Sequence, residues 1–186
     1  MASVFGHAAA ALALGSAFRT AGVPGRFWAL GVACAVLPDI DVVAFSFGIS
    51  SRHVLGHRGL THSVLFAVGV GTAVAWLFVR GHPWRRARWR LAAYFVVATA
   101  SHGVLDAMTN GGPGVAFFAP IDDTRFFLPW RPIVVSPIGL RPFLGEWGLA
   151  VVKSELRWVL IPSVLFALAV GAWRWSWRKR HPVSAR

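Results

Sequence analysis

The chain has 186 residues, of which 56% are hydrophobic and only 14% are charged, a composition too apolar for a soluble domain of this length. Its net charge of +12 lies in short basic segments beside apolar runs, as topology signals do, and no nucleic-acid recognition motif accompanies it. We therefore expect a small membrane protein without a nucleic-acid partner, and its single cysteine, Cys34, excludes an intrachain disulfide.

Five apolar segments follow one another, and each approaches the roughly 20 residues that a helix needs to cross the hydrocarbon core. They cover residues 4–22, 26–45, 60–80, 90–108 and 156–174. No Lys or Arg precedes the first segment, which makes it a poor signal peptide, so we expect it to be retained. The pattern predicts an all-α polytopic membrane protein, one helical domain over residues 1–186 with about five transmembrane helices.

A long Gly- and Pro-rich connection, over about residues 109–154, separates the fourth segment from the fifth. A loop of this length is usually functional or disordered, and this one is rich in Phe and Trp rather than in the polar residues of disorder. We expect it to cap a site, with aromatic side chains at the bilayer interface holding Arg125 and Arg131 above it. The alternative is an interfacial anchor that only tilts the last helix.

The basic residues predict an orientation. Threading five helices alternately places 12 Lys and Arg on the side of the carboxyl terminus, Arg80 and Arg186 among them, and 7 on the other side. The positive-inside rule then puts the carboxyl terminus in the cytoplasm and the amino terminus outside the inner membrane.

The same threading brings eight ionisable residues to the outer ends of their segments, on one face of the membrane. Such residues are costly at membrane depth and by default indicate a functional site. Unrelated polar residues would be scattered over both ends, so we expect a single site. The eight are His7, Asp39, Asp41, His57, His62, His102, Asp106 and Glu155.

Short motifs carry most of these residues. His102 and Asp106 lie on one helix face, where they could bind one ion or only each other. The two carboxylates of segment 37–41 would repel each other unless a cation or proton intervened, although a solvated helix end is the alternative. The hydroxyls of segment 57–63 could cap the next helix, but capping needs no histidines. Taken alone, His7 could be an interfacial residue, and Glu155 could be an acid favoured by a helix start.

Four histidines and three aspartates form a nitrogen and oxygen ligand set suited to Zn²⁺ or another first-row divalent metal, and they suffice for two ions if a carboxylate bridges. No sulfur ligand contributes, which argues against a purely structural zinc site. A metal centre open to water supports hydrolysis, and paired metals stabilise displacement at phosphorus.

These motifs resemble those of the YdjM-like family of bacterial inner-membrane proteins. The resemblance rests on an early His7, on Leu-Pro-Asp-Ile-Asp at 37–41, on His-Arg-Gly-Leu-Thr-His-Ser at 57–63 and on Ser-His-Gly-Val-Leu-Asp at 101–106, and it continues through 125–133 and 154–158. It implies a membrane-bound metal-dependent hydrolase and brings no substrate with it.

A weaker resemblance is to the zinc-dependent phospholipase C and P1 nuclease superfamily, all-helical enzymes with the ligand order His, Asp, His, then His-x-x-x-Asp. Here His7, Asp39, His57 and the pair His102 and Asp106 follow that order. Those enzymes have further histidines and a glutamate downstream, whereas this chain offers only Glu146 or Glu155, which disfavours a three-metal centre.

We therefore predict a hydrolase that acts on a lipid or lipid-linked phosphoester at the outer face of the inner membrane, with one or two ions, Zn²⁺ favoured. The expected metal ligands are His7, Asp39, His57, His102 and Asp106. Catalytic roles are expected for Asp41, His62 and Glu155, the last as a ligand or base. Phosphate oxygens are expected to bind Arg58, Arg125 and Arg131.

Two other classes of function could use the same residues. A transport or proton-relay protein would need polar residues that continue toward the cytoplasmic side, yet the inner halves of the segments are apolar. A non-catalytic interaction protein could hold a metal for structure alone.

Overall fold

The computed structural model describes residues 1–19, 23–79 and 83–181. Every regular element within these ranges is a helix, so the predicted all-α class is confirmed. Two isolated β-bridges pair Thr109 with Ile133 and Val115 with Phe126. Arg80 and Arg186, which the orientation count used, lie outside the described residues.

The described part contains seven α-helices: α1 (Val4–Phe18), α2 (Gly25–Val36), α3 (Val64–Val79), α4 (Arg88–Ala107), α5 (Leu140–Phe143), α6 (Glu146–Glu155) and α7 (Ile161–Arg180). 3₁₀ helices cover Leu37–Phe47, Leu60–His62 and Pro83–Ala87, and a π-helical turn over Leu156–Leu160 joins α6 to α7.

The segment after α2 departs from α-helical geometry at its proline. Pro38 has no backbone N–H and crowds the preceding turn, so the chain continues as a 3₁₀ helix over Leu37–Phe47. Runs of 3₁₀ helix longer than about four residues are uncommon and often mark functional positions. The tighter turn brings both Asp39 and Asp41 within 4.0 Å of the His62 ring nitrogens.

The last helix begins earlier than predicted. α6, the π-helical turn and α7 form one continuous stretch, Glu146–Arg180, so the connection after α4 ends at about Gly145 rather than at 154. Polar residues within α6 interrupt its apolar pattern, which is why the sequence suggested a loop. Gly145 is the N-cap, and the first-turn carboxylate of Glu146 is favoured by the helix dipole.

Two described helical stretches are long and apolar enough to cross a membrane, Gly25–Phe47 and Glu146–Arg180. Val4–Phe18 and Val64–Phe78 are apolar but shorter, and below the roughly 20 residues of a full span. The five-span topology therefore stays a prediction.

An apolar core lies between the first four helices. Phe27, Leu91, Tyr94 and Phe95 are fully buried there, and the rings of Phe27 and Tyr94 stack at 4.5 Å. The Tyr94 hydroxyl donates a hydrogen bond to the Ala11 carbonyl, so its polar group is satisfied within the core.

The two ends of the bundle differ in chemistry. Arg90 and Arg174, which come from separate basic segments, both donate to the carbonyl of Ala17 near the end of α1. At the other end, Ser3 caps the start of α1 and donates to Glu155. The fold therefore gathers these basic side chains at one end and the candidate site at the opposite end.

Candidate metal centre

The site is built around two imidazoles that face each other. His102 lies within α4, His62 ends the 3₁₀ turn before α3, and their Nε2 atoms are 3.0 Å apart. The His102 Nδ1 is 2.7 Å from the carbonyl of Ala35, so Nδ1 carries the proton. The His62 Nδ1 lies 3.0 Å from the Thr61 hydroxyl oxygen and 3.2 Å from Asp41 Oδ2, so it carries a proton in the same way. In the neutral form of each ring Nε2 therefore carries the lone pair, and a cation between the two nitrogens would be stabilised by both.

Two carboxylates complete a four-atom set around these nitrogens. One atom each from Asp39, His62, His102 and Asp106 lies within 4.8 Å of all the others. A tetrahedral zinc with bonds of about 2.1 Å has ligand atoms about 3.4 Å apart. His102 Nε2 is 3.3 Å from Asp39 Oδ1, and His62 Nε2 is 3.5 Å from Asp106 Oδ2. The crossed His–Asp distances are both 4.0 Å, so the set fits one tetrahedral ion after small adjustments.

The oxygens in this set lack hydrogen-bond partners. Both carboxylate oxygens of Asp39 are buried without one, and Oδ2 of Asp106 accepts no hydrogen bond but forms an ion pair with Arg58. Burying a carboxylate is costly unless it is paired, hydrogen-bonded or bound to a metal. Together with the two imidazole lone pairs, these oxygens are the donor set that a divalent metal prefers, so the residues present fit such an ion.

Asp41 lies beside the four-atom set and orients the neighbouring side chains through hydrogen bonds. It lies 2.7 Å from the Nδ1 of His57 and accepts hydrogen bonds from the Arg58 backbone N–H and the Thr61 hydroxyl. With the His62 ring nitrogen it has four donors, so its oxygens are saturated. Carboxylates that hold the second nitrogen of a ligating histidine fix the ring's orientation.

His57 lies beside the four-atom set rather than within it. Asp41, His57 and His62 form a second group of potential ligand atoms, but this group shares His62 with the first. The 2.7 Å separation of His57 Nδ1 from Asp41 Oδ1 is a hydrogen-bond distance. The geometry thus favours a hydrogen-bonded His57 over a second ion.

Arg58 is fully buried against the site. Its Nε lies 2.9 Å from Asp106 Oδ2, while its two terminal nitrogens donate to the Gly111 carbonyl and the Thr109 hydroxyl. The side chain predicted to bind phosphate therefore already has three protein partners, including a candidate metal ligand. An acid that binds a metal is commonly supported in this way by a neighbouring donor.

The loop that carries Arg58 is tightly folded. Arg58 has a φ of 63°, the left-handed region that a non-glycine residue seldom occupies, and such backbone strain clusters at functional sites. At Gly59 a Cβ would lie 2.1 Å from the Val54 carbonyl oxygen, so only glycine fits. In α4, a Cβ on Gly103 would lie 2.9 Å from the His62 carbonyl oxygen, which lets the loop approach the helix closely.

His7 and Glu155 join the site from α1 and α6. The His7 ring stacks on His102 at 3.7 Å, and its Nε2 is 3.5 Å from Asp106 Oδ1, while both ring nitrogens lack a hydrogen-bond partner. Glu155 accepts hydrogen bonds from the N–H and hydroxyl of Ser3. The N–H of Ala2 donates to Asp106, so the amino-terminal segment links the two acids.

The two other predicted phosphate ligands lie apart from the four-atom set. Arg125 donates to the backbone carbonyls of His53, His57 and Arg58 and so fastens the loop. Partial burial lowers the pKa of its guanidinium, which nearby Asp123 partly opposes. Arg131 is exposed, with its guanidinium 4.7 Å from the centre of the Phe127 ring.

Several supporting groups were not predicted from the sequence. The Ala35 carbonyl fixes His102, and the backbone N–H groups of Ala2 and Ser3 bind acids more than a hundred residues away. Backbone groups carry no residue-specific signal, so no motif could reveal them. Ser3 alone was detectable, because a serine before an apolar run is a common N-cap.

Comparison with known proteins places this geometry in context. The sequence model described as YdjM inner membrane protein matches residues 1–180. The inner membrane protein YbcI of Escherichia coli (strain K12) is 39% identical over 181 residues, which cover 97% of this chain and 100% of that protein. No solved structure matches the chain significantly.

Proposed function

The chain belongs to the YdjM inner membrane protein family, and from this premise we propose that it is a metal-dependent hydrolase acting on a lipid or lipid-linked phosphoester. The observation that carries the proposal is the buried set of Asp39, His62, His102 and Asp106, whose ligand atoms have the spacing of a tetrahedral metal site. It lies at the end of the bundle away from the basic helix ends, which corresponds to the outer face in the predicted orientation.

The four residues would hold one divalent cation, with Zn²⁺ favoured by the mixed nitrogen and oxygen ligands. Such a cation would polarise a phosphoryl oxygen as a Lewis acid and would lower the pKa of a bound water to about 7. The geometry favours one ion, because the second group of ligand atoms shares His62 with the first. Within that second group, His57 and Asp41 are already at hydrogen-bond distance from each other.

The remaining residues of the site orient these ligands and handle protons. Asp41 holds the rings of His57 and His62, and Arg58 holds Asp106. His7 has two ring nitrogens without a hydrogen-bond partner beside the set, which suits it to accept a proton during hydrolysis or to join as a further ligand. Glu155, bound to Ser3, anchors the amino-terminal segment and is a less direct candidate for the base.

A transport or proton-relay function is less well supported by the described residues. From the site toward the other end of α4, the next buried polar residue is Thr99. Its hydroxyl donates to the Phe95 carbonyl of the same helix. The apolar core around Phe27, Tyr94 and Phe95 then fills the bundle. A proton path would need polar groups that continue through this region.

Hydrolysis is tested by assaying the purified protein against phospholipids and polyprenyl phosphates, with products identified by mass spectrometry. Activity should require added metal, disappear with a chelator and be lost in Asp106→Asn. Metal binding without turnover of any substrate in the panel would instead support a non-catalytic protein that holds a metal for structure.

A further inference from the structure

An apolar cleft opens beside the metal centre. It lies between the amino-terminal segment, the 3₁₀ helix after α2 and the segment that leads into α5, with a volume of about 410 Å³. This size is within the range of about 300–1,000 Å³ typical of ligand pockets. Its apolar walls are formed by Val4, Phe5, Val42, Ile138, Leu140 and Phe143.

The cleft shares one residue with the candidate metal centre. Among its lining residues, Asp39 has the one charged side chain. The Asp39 side chain is 8% exposed, whereas those of His62, His102 and Asp106 are 0% exposed. Asp39 thus connects the cleft to the candidate metal centre, and a ligand entering the cleft would meet the site at this residue.

The membrane setting of the cleft favours a lipid as its occupant. Asp39 and Val42 lie in the second half of the apolar stretch Gly25–Phe47, a helical stretch long and apolar enough to cross a membrane. Phe5 and Leu140 line this cleft and are 67% and 74% exposed, in a chain that belongs to an inner-membrane protein family. Exposed apolar side chains gathered at one cleft mark a binding groove or an interface with the membrane.

We infer that this cleft binds one hydrocarbon chain of a bilayer phospholipid and thereby presents the lipid's phosphoester to the metal centre at Asp39. The apolar walls and the charged side chain of Asp39 match an amphiphile with one chain inserted and its headgroup at the site. The placement of the ester rests on the proposed function, whereas occupancy of the cleft by the chain can be measured separately.

Photolabelling tests this inference. The full-length protein is reconstituted in vesicles of phosphatidylethanolamine and phosphatidylglycerol that contain a phosphatidylethanolamine with a diazirine in one acyl chain. After irradiation, adducts are mapped by mass spectrometry. Labelling should concentrate on Val42 and Ile138, well above that on Val164 of α7, whose side chain is 57% exposed and outside the cleft.

Bulky substitutions provide the matched comparison. Ile138→Trp or Leu140→Trp should fill the cleft and remove most labelling of Val42, while Val164→Trp should leave it unchanged and all three should keep their metal content. Labelling that merely follows exposed apolar area, or that survives both cleft variants, would overturn the inference. Preferential labelling by a diazirine polyprenyl phosphate would overturn the choice of phospholipid.

The same experiment separates this inference from the proposed function. Asp106→Asn, which is expected to lose hydrolysis, should still be labelled in the cleft. Cleft labelling without any hydrolysis in the unmodified protein would leave chain binding supported and the hydrolase proposal wrong. Hydrolysis without cleft labelling would support the hydrolase proposal and would contradict binding of a lipid chain in the cleft.

Discussion

The Nε2 atoms of His62 and His102 lie 3.0 Å apart, and the Nδ1 atom of each ring is within hydrogen-bond distance of an acceptor elsewhere. Asp41 and the Ala35 carbonyl therefore fix the tautomers, because an acceptor at Nδ1 leaves the lone pair on Nε2. Two such nitrogens 3.0 Å apart, beside the buried oxygens of Asp39 that lack hydrogen-bond partners, indicate a place for a cation.

Removal of a candidate ligand should abolish tight metal binding. His102→Ala and Asp106→Ala should each weaken the affinity by more than the roughly 10–100-fold that loss of a supporting group costs. His181→Ala is the matched control, because this exposed histidine contacts only Trp177 among the described residues. Metal content is measured by mass spectrometry after dialysis, and full occupancy in both site variants would mean that the centre is wrongly placed.

Asp41 should act by orienting rings rather than by binding the ion. Asp41→Asn keeps the shape but weakens acceptance from His57, Thr61 and His62, so the metal affinity should fall by about 10–100-fold. A chelator competition titration measures this change. Loss as complete as that in Asp39→Asn would instead make Asp41 a direct ligand.

The buried pair of Arg58 and Asp106 should contribute strongly to stability. Removing one partner of a buried ion pair typically costs about 3–5 kcal/mol, so the metal-free Arg58→Met variant should unfold much more readily in a denaturant titration in detergent. Arg131→Met, which loses only an exposed contact with Phe127, should change the free energy of unfolding by about 0.5–1 kcal/mol. Equal effects of the two substitutions would show that the Arg58 pair is not important for stability.

The sequence reveals which residues meet in this site better than it reveals their roles. Threading the helices alternately predicted that His62, His102 and Asp106 would lie at one end of the bundle, because the direction of each helix decides which end its residues occupy. Roles depend on distances of a few tenths of an ångström and on backbone acceptors, so the engagement of Arg58 with Asp106 could not be predicted. The early start of the last helix was missed because tertiary contacts, such as that of Glu155 with Ser3, stabilise α6 despite its weak apolar pattern.

Arg125 should matter to the loop and Arg131 should not. Arg125 donates to the carbonyls of His57 and Arg58, so Arg125→Ala should loosen the loop and lower metal affinity as well as turnover. Arg131→Ala should leave metal affinity unchanged, and a loss of turnover in this variant alone would support its predicted contact with substrate phosphate. Calorimetric metal titration together with substrate kinetics separates these effects. Unchanged metal affinity and turnover in both variants would mean that the connection between α4 and the last helix is only an interfacial anchor.

The orientation can be tested by labelling single cysteines in spheroplasts. After Cys34 is replaced by alanine, Ser176→Cys near the basic end should react with an impermeant maleimide only once the membrane is opened. Ser51→Cys, on the loop before His57, should react from outside. The reverse pattern would move the site to the cytoplasmic face while leaving its geometry intact.

The most direct test of the metal centre is a crystal structure of the zinc-loaded protein with diffraction data collected on both sides of the zinc absorption edge. We predict a single anomalous peak at about 2.0–2.2 Å from His62 Nε2, His102 Nε2 and one oxygen each of Asp39 and Asp106. A peak at another position, or no peak at full zinc loading, would contradict the assignment of these four residues as the metal site.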